Sequence, residues 1–208
     1  ICGFDLGIRQ GGFAWVDMGR MCGFGEMIDI HVVGTDECTI NDDLLSYQAH
    51  YYAMKFKPRF MLTSRIAPER MPKIPGRNKK VELFGFLFIQ SVMAMYPHIT
   101  IHWVVPKSLR PKFGISGISY EDRKRLSAYK VLEIFGLEQF SPMELLFQGC
   151  FDVYDALLLA IYSGMYYRTE NGGHHLLVKG STTKKAVMKT RILTFKDLPT
   201  NQRPPVVP

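Results

Sequence analysis

Apolar positions alternate with polar or small ones over "ICGFDLGI" (1–8) and "GFAWVDM" (12–18), the period-two signature of strands. "EMIDIHVVG" (26–34) continues the pattern and predicts a three-strand meander, with Gly11-Gly12 and Gly23/Gly25 supplying the turns. The period then lengthens. In "TDECTINDDLLSYQAHYYAMKF" (35–56), Leu44, Leu45, Gln48, Tyr51, Tyr52 and Lys55 follow helical spacing. Asn41 or Asp42 is placed to cap that helix and Pro58 to end it. "RFMLTSRIAPERMPK" (59–73) reads as a strand running into a loop, with Pro68 and Pro72 on either side of Glu69. "GRNKKVELFGFLFIQSVMAMYP" (76–97) is apolar nearly all round, which predicts a helix buried against a sheet and stopped by Pro97. "HITIHWVVP" (98–106) is a strand of β-branched residues, and "KSLRPKFGISGIS" (107–119) a basic loop. "YEDRKRLSAYKVLEIFGL" (120–137) is a helix, with Ser119 and Asp122 spaced for a capping box and Gly136 at its end. "DVYDALLLAIYSGMYYR" (152–168) is a last, strongly apolar helix.

Three strands followed by alternating helices and strands predict an α/β fold: a mixed sheet of about five strands flanked by helices. Residues 1–168 then make one domain, and 169–208 a basic, partly disordered tail with a Pro-rich end. The chain of 208 residues, 47% hydrophobic and 22% charged, is long enough for a real core. Its most apolar run is too short for a membrane helix and contains Glu82 and Gln90, so no membrane partner is expected. The first residues lead straight into a strand pattern rather than a signal peptide. The four cysteines are far apart, with no CxxC pair, which argues against a zinc site or a disulfide scaffold and suits an intracellular, reducing compartment. No glycine-rich phosphate loop is present.

Charge changes the picture. The net +7 is uneven: nine Lys/Arg stand against the single acid Glu69 between Lys55 and Lys80, and eight against two acids from Arg168 onward. Basic blocks of this kind favour a polyanion such as nucleic acid, through phosphate contacts and counterion release. Against that background four acids stand out. Asp5 interrupts an apolar strand; it either caps a turn at a sheet edge or holds a cation in a cleft. Glu69 either pairs with Arg65 or Arg70 on the surface or joins a site. Asp152 and Asp155 are three apart at a helix start, so they share one face; they are either ordinary N-terminal acids or part of a site. Together the four fit phosphodiester hydrolysis with two Mg²⁺ ions about 4 Å apart, which needs several carboxylates around one cleft and no Cys/His cluster.

The ordered motifs "CGFDLGIR", "ERMP", "VVPKSL…SGISYEDRKRLSAYKVLEIFGL" and "FDVYDALLLAIYSGMYYR" resemble those of the RuvC-type Holliday junction resolvases of the RNase H-like fold, and most of all the branch of poxviruses and other large DNA viruses, with mitochondrial resolvases as cousins. The resemblance runs from about Ile1 to Arg168. Two departures stand in it: Arg9-Gln10-Gly11 replaces a Lys-Asn-Pro, and Ala67-Pro68 precedes Glu69. It implies a structure-selective DNA endonuclease that cuts four-way junctions by paired nicks as a homodimer, at a site of viral DNA replication or in a mitochondrion. It also implies a site of Asp5, Glu69, Asp152 and Asp155 holding two Mg²⁺, for which Mn²⁺ can substitute. DNA contacts are implied at Arg9, Arg70, Lys107, Arg123, Lys124 and Arg125, with Lys124 and Arg125 facing the scissile strand. The helix around Phe84, Phe86 and Phe88 is a candidate dimer surface. Two other readings stay open: a nuclease of this fold acting on RNA–DNA hybrids or flaps, and a catalytically idle RNase H-like subunit of a nucleoprotein assembly.

Overall fold

The computed structural model describes residues 1–6, 10–18, 31–41, 43–70, 79–115, 119–135 and 151–170. Strands β1 (Cys2–Leu6), β2 (Gln10–Asp17) and β3 (His31–Thr39) form the expected antiparallel meander. Two further strands, β4 (Arg65–Pro68) and β5 (Thr100–Ile101), run parallel to β1, giving one mixed sheet in the order β3-β2-β1-β4-β5. β1 is therefore the middle strand, where the antiparallel half meets the parallel half. Helices α1 (Leu45–Lys55) and α2 (Lys57–Phe60) lead into β4, and α3 (Lys79–Met95) connects β4 to β5. After β5 come α4 (Pro106–Lys112), α5 (Tyr120–Ile134) and α6 (Asp152–Glu170). Among the described residues no helix is long and apolar enough to cross a membrane.

Side-chain alternation divides the sheet into two unlike faces. One carries the large residues Phe4, Phe13, Trp15 and Ile66, packed with Phe56, Phe60, Phe84 and Phe88 from the first three helices. The cross-strand partners Phe4 and Phe13 stack at 4.4 Å between ring centroids, and Phe56 and Phe88 lie 4.9 and 5.2 Å from Phe13. Burying each such ring contributes about 2–3 kcal/mol, and aromatic pairs add roughly 0.5–1.5 kcal/mol.

The opposite face is lined by the small residues Gly3, Gly12, Ala14 and Ala67, and α6 lies on it. A Cβ at Gly3 would overlap the carbonyl of Ala156, and one at Gly12 would overlap the backbone of Asp152 and Val153. Two missing side chains on neighbouring strands thus bring this helix into backbone contact with the sheet. α6 is buried on nearly every side from Val153 to Ile161, between the sheet and α5, which explains its unbroken apolar sequence.

Several boundaries differ from the sequence reading. Gly11 and Gly12 are strand residues of β2, not a turn. Residues 35–39, expected in a helix, belong to β3; an edge strand is half-exposed and needs no apolar run. Asn41 does not cap α1, whose N-cap is Leu44; its side-chain oxygen instead accepts from the Asp43 N–H at 3.0 Å. Arg59 and Phe60, read as the start of a strand, belong to helix α2, and Pro58, expected only to end the previous helix, lies in the first turn of α2. The basic loop contains α4, because Pro106 sits at a position that needs no N–H donor. The strand read over 98–106 pairs continuously for two residues only, with one further bridge between Glu69 and Val104. α3 buries one face rather than all: Phe84 and Phe88 are fully buried, while Leu83, Phe86 and Met93 are exposed. The capping box at Ser119–Asp122 is present. Residues 26–30, Gly23, Gly25, Asp42, Pro72, Gly136 and the tail beyond 170 lie outside the described residues.

Candidate active site

Asp5 is the last-but-one residue of β1 and projects from the glycine-lined face, opposite Gly12 in the strand register. It is 3% exposed, so it is neither a turn cap nor an edge residue. Glu69 directly follows β4. Pro68 does not divert the chain: its carbonyl accepts from Val104 N–H at 3.0 Å, and Glu69 N–H donates to Phe4 O at 3.1 Å. The Ala-Pro departure is therefore absorbed at the end of the strand, where a missing donor costs nothing. The parallel strands deliver Asp5 and Glu69 to the same carboxyl-terminal edge, the usual place for ligands in such sheets.

Asp152 and Asp155 reach that edge from the first turn of α6, where the helix dipole favours negative charge. All four acids meet. Glu69 hydrogen-bonds to Asp5, and Ser127 to Asp155. The ammonium of Lys124, from α5, lies 2.8 Å from Asp5 Oδ2 and 2.7 Å from Asp152 Oδ1, and also bonds Asp155 Oδ2. The cleft beside them is lined by Asp5, Glu69, Asp155, Ser127 and Arg110.

Crowding of like charges sets the protonation. Burial opposes ionisation of Asp5, but the Lys124 ammonium and a hydrogen bond from Glu69 outweigh it and hold the carboxyl below its ordinary value. Burial, then the neighbouring Asp5 charge, pushes Glu69 up from 4.5 to about 9. Burial raises Asp155 to about 6, against the pull of Lys124. Asp152 is raised by burial and by Asp5. Lys124 is disfavoured by burial but raised overall by Asp5, Asp155 and Asp152.

A sign follows for stability. Between the ordinary carboxyl range and about 9, the folded chain keeps on Glu69 a proton that the unfolded chain has lost. Asp155 acts in the same direction up to about 6. Without divalent ions, the melting temperature should therefore fall from about pH 5 to about pH 8. Mn²⁺ should raise it, and more so at the higher pH, because metal binding needs deprotonated ligands. Differential scanning calorimetry at the two pH values checks this; a melting temperature that rises with pH in EDTA would contradict it.

No protein-family model and no curated protein matches this chain in sequence. Its three-dimensional structure does find counterparts. The structure of Thermus thermophilus RuvC aligns with TM-score 0.58 and 15% identity, over 83% of this chain and 96% of that one. The same protein in complex with a Holliday junction substrate aligns with TM-score 0.56 and 14% identity, over 83% and 96%. Fowlpox virus resolvase, solved with substrate Holliday junction DNA, aligns with TM-score 0.43 and 15% identity, over 78% and 96%. The chain has the fold of RuvC. That is the mixed five-strand α/β architecture which the order of elements predicts.

On this RuvC-like frame the sequence-predicted acids come together. The basic residues divide. Arg70, Lys107 and Arg125 are exposed, Arg123 is half-buried, and Arg9 lies outside the described residues. Lys124, expected to face a DNA strand, turns inward onto the acids. Three residues of the site escaped the sequence reading. Arg110 lines the cleft from α4, in a segment read as loop. Ser127 follows Lys124 by three residues, a spacing that already put it on the same face. Tyr120 precedes Lys124 by one turn, its ring centroid 5.6 Å from Nζ.

Among the described residues no group of three or more His, Cys, Asp or Glu stands as a ready-made metal shell. The chemistry of the donor set nevertheless fits a hard divalent ion. Carboxylate oxygens from β1 and α6 converge on one positive charge, and the Lys124 ammonium is a stand-in for a cation.

Proposed function

We propose that this chain is a divalent-metal-dependent, structure-selective DNA endonuclease that resolves four-way junctions. The observation that carries the reading is the convergence of Asp5, Asp152 and Asp155 on one cation at the carboxyl edge of the parallel strands, with Glu69 hydrogen-bonded to Asp5 beside them. Further support comes from the shared fold with Thermus thermophilus RuvC, which has been solved with a Holliday junction substrate.

In this reading the four acids hold Mg²⁺, or Mn²⁺ in its place. When bound, the metal supplies Lewis acidity to the phosphate and an activated water for in-line hydrolysis. The rest falls to the protein. Arg110, in the wall of the cleft, meets the phosphate beside the acids and offsets their repulsion of it. Arg70, Lys107, Arg123 and Arg125 hold the flanking backbone through phosphate contacts. Ser127 fixes the orientation of Asp155 through its hydroxyl.

A four-way junction is nearly two-fold symmetric, so paired nicks call for two sites related by a two-fold axis. The exposed stripe Leu83, Phe86 and Met93 on α3 suits a second copy of this chain. Phe84 and Phe88 do not belong to it, because they are fully buried in the core.

A substrate panel tests the reading: a synthetic four-way junction, linear duplex, flap and RNA–DNA hybrid, each with Mg²⁺ or EDTA. Paired, Mg²⁺-dependent nicks confined to the junction are expected. Cleavage of the hybrid or flap instead would replace the substrate class. Binding that is indifferent to Mg²⁺, with no cleavage of anything, would make the chain an idle binding subunit. Analytical ultracentrifugation should give a two-chain species that Phe86→Glu dissociates; a wild-type monomer with full activity would remove the dimer.

A further inference from the structure

Lys124 meets its three carboxylates with a full set of ammonium donors, aimed at Asp5, Asp152 and Asp155, and its side chain is 13% exposed. Those oxygens are the ones a divalent ion held by the same acids would need. A lysine ammonium and a metal ion cannot share them, because two positive charges a few ångströms apart in a buried cleft repel strongly. The backbone beneath Lys124 has little room to give. The residue sits in the second turn of α5, whose start is fixed by the Ser119–Asp122 capping box and whose inner side, Ser127, Ala128 and Val131, is buried.

The side chain, by contrast, has somewhere to go. The ring of Tyr120 stands one turn earlier on the same helix, 55% exposed, and Nζ already lies over its face, 5.6 Å from the centroid. A four-carbon stem can draw the ammonium off the acids while it keeps this ring contact and its methylenes stay packed.

From this geometry we propose that Lys124 is a resident counter-ion of the acid cluster, which an incoming divalent ion displaces outward over Tyr120. The lysine holds three mutually repelling carboxylates in one folded arrangement, and then gives up its place. Once displaced, its charge stands on the side from which a phosphate would approach. The proposal rests on the metal-dependent reading above and adds to it a competition within the chain.

Two measurements test it without an activity assay. In the first, the wild-type chain is acylated with acetic anhydride, and modification of each lysine is followed by peptide mass spectrometry. Lys124 should be protected in EDTA and become reactive at saturating Mn²⁺, while exposed Lys107 stays constant. In the second, Mn²⁺ affinity is measured by electron paramagnetic resonance for the wild type and Lys124→Met. The variant should bind Mn²⁺ about tenfold more tightly, a coupling of ordinary size between competing sites, and should melt at a lower temperature in EDTA. If Lys124→Met does not fold, the labelling of the wild type decides. Mn²⁺ binding that leaves Lys124 protected, or an equal or weaker affinity in a folded variant, overturns the displacement and leaves the metal site standing. No Mn²⁺ binding to either protein at millimolar concentration overturns both.

Discussion

Asp5→Asn is expected to abolish junction cleavage while junction binding persists. Asparagine keeps the shape of aspartate but loses its charge and one acceptor. In the proposed mechanism Asp5 is the acid shared by everything in the site, bonded to Glu69 and to Lys124 at once. Losing it removes several kcal/mol of metal-dependent stabilisation, a fall of about 10³-fold or more in rate. The fold should survive, because the substitution also relieves repulsion among the remaining acids. Single-turnover cleavage and a gel-shift assay in Ca²⁺ separate the two effects. A variant that cuts at a tenth of the wild-type rate or better would remove Asp5 from the reaction.

The second large effect lies outside the acids. Gly12→Ala adds one methyl group, yet that carbon would overlap the backbone of Asp152 and Val153. Backbone cannot swing away as a side chain can, so α6 must lift from the sheet. Overpacking of this kind costs about 1–3 kcal/mol and sometimes more. Here it also moves Asp152 relative to Asp5, so cleavage should fall together with the melting temperature. Gly34→Ala is the matched control: its Cβ would meet only the guanidinium end of Arg59, which can shift. Urea denaturation and junction cleavage of the two variants should diverge sharply; equal behaviour would show that the close seat of α6 is unimportant.

These two residues also show how far the sequence could be read. Asp5 is legible because a carboxylate inside an alternating apolar run needs a reason. The i, i+3 spacing of Asp152 and Asp155 is legible for the same kind of cause: helical geometry fixes which side chains are neighbours. Gly12 was misread as a turn residue, since nothing local tells a glycine that bends the chain from one that makes room for a helix 140 residues later. Residues 35–39 were misread because an edge strand carries no apolar signature. Lys124 is expected, from the resemblance, to face the scissile strand, not to bond the acids themselves. Its inward direction was nonetheless written in the chain: Lys124, Ser127, Ala128 and Val131 repeat at i, i+3, i+4 and i+7, the inner stripe of α5.

The acids of the site come from the first strand, from the end of the fourth, and from a helix that begins at Asp152. A ribosome therefore releases Asp5 long before the two acids that complete the set. A growing or prematurely ended chain that stops short of α6 lacks half of the carboxylates and the cover for the glycine-lined face of β1. In the proposed mechanism, fragments that stop short of α6 would be inert, and cutting would need this last helix among the described residues.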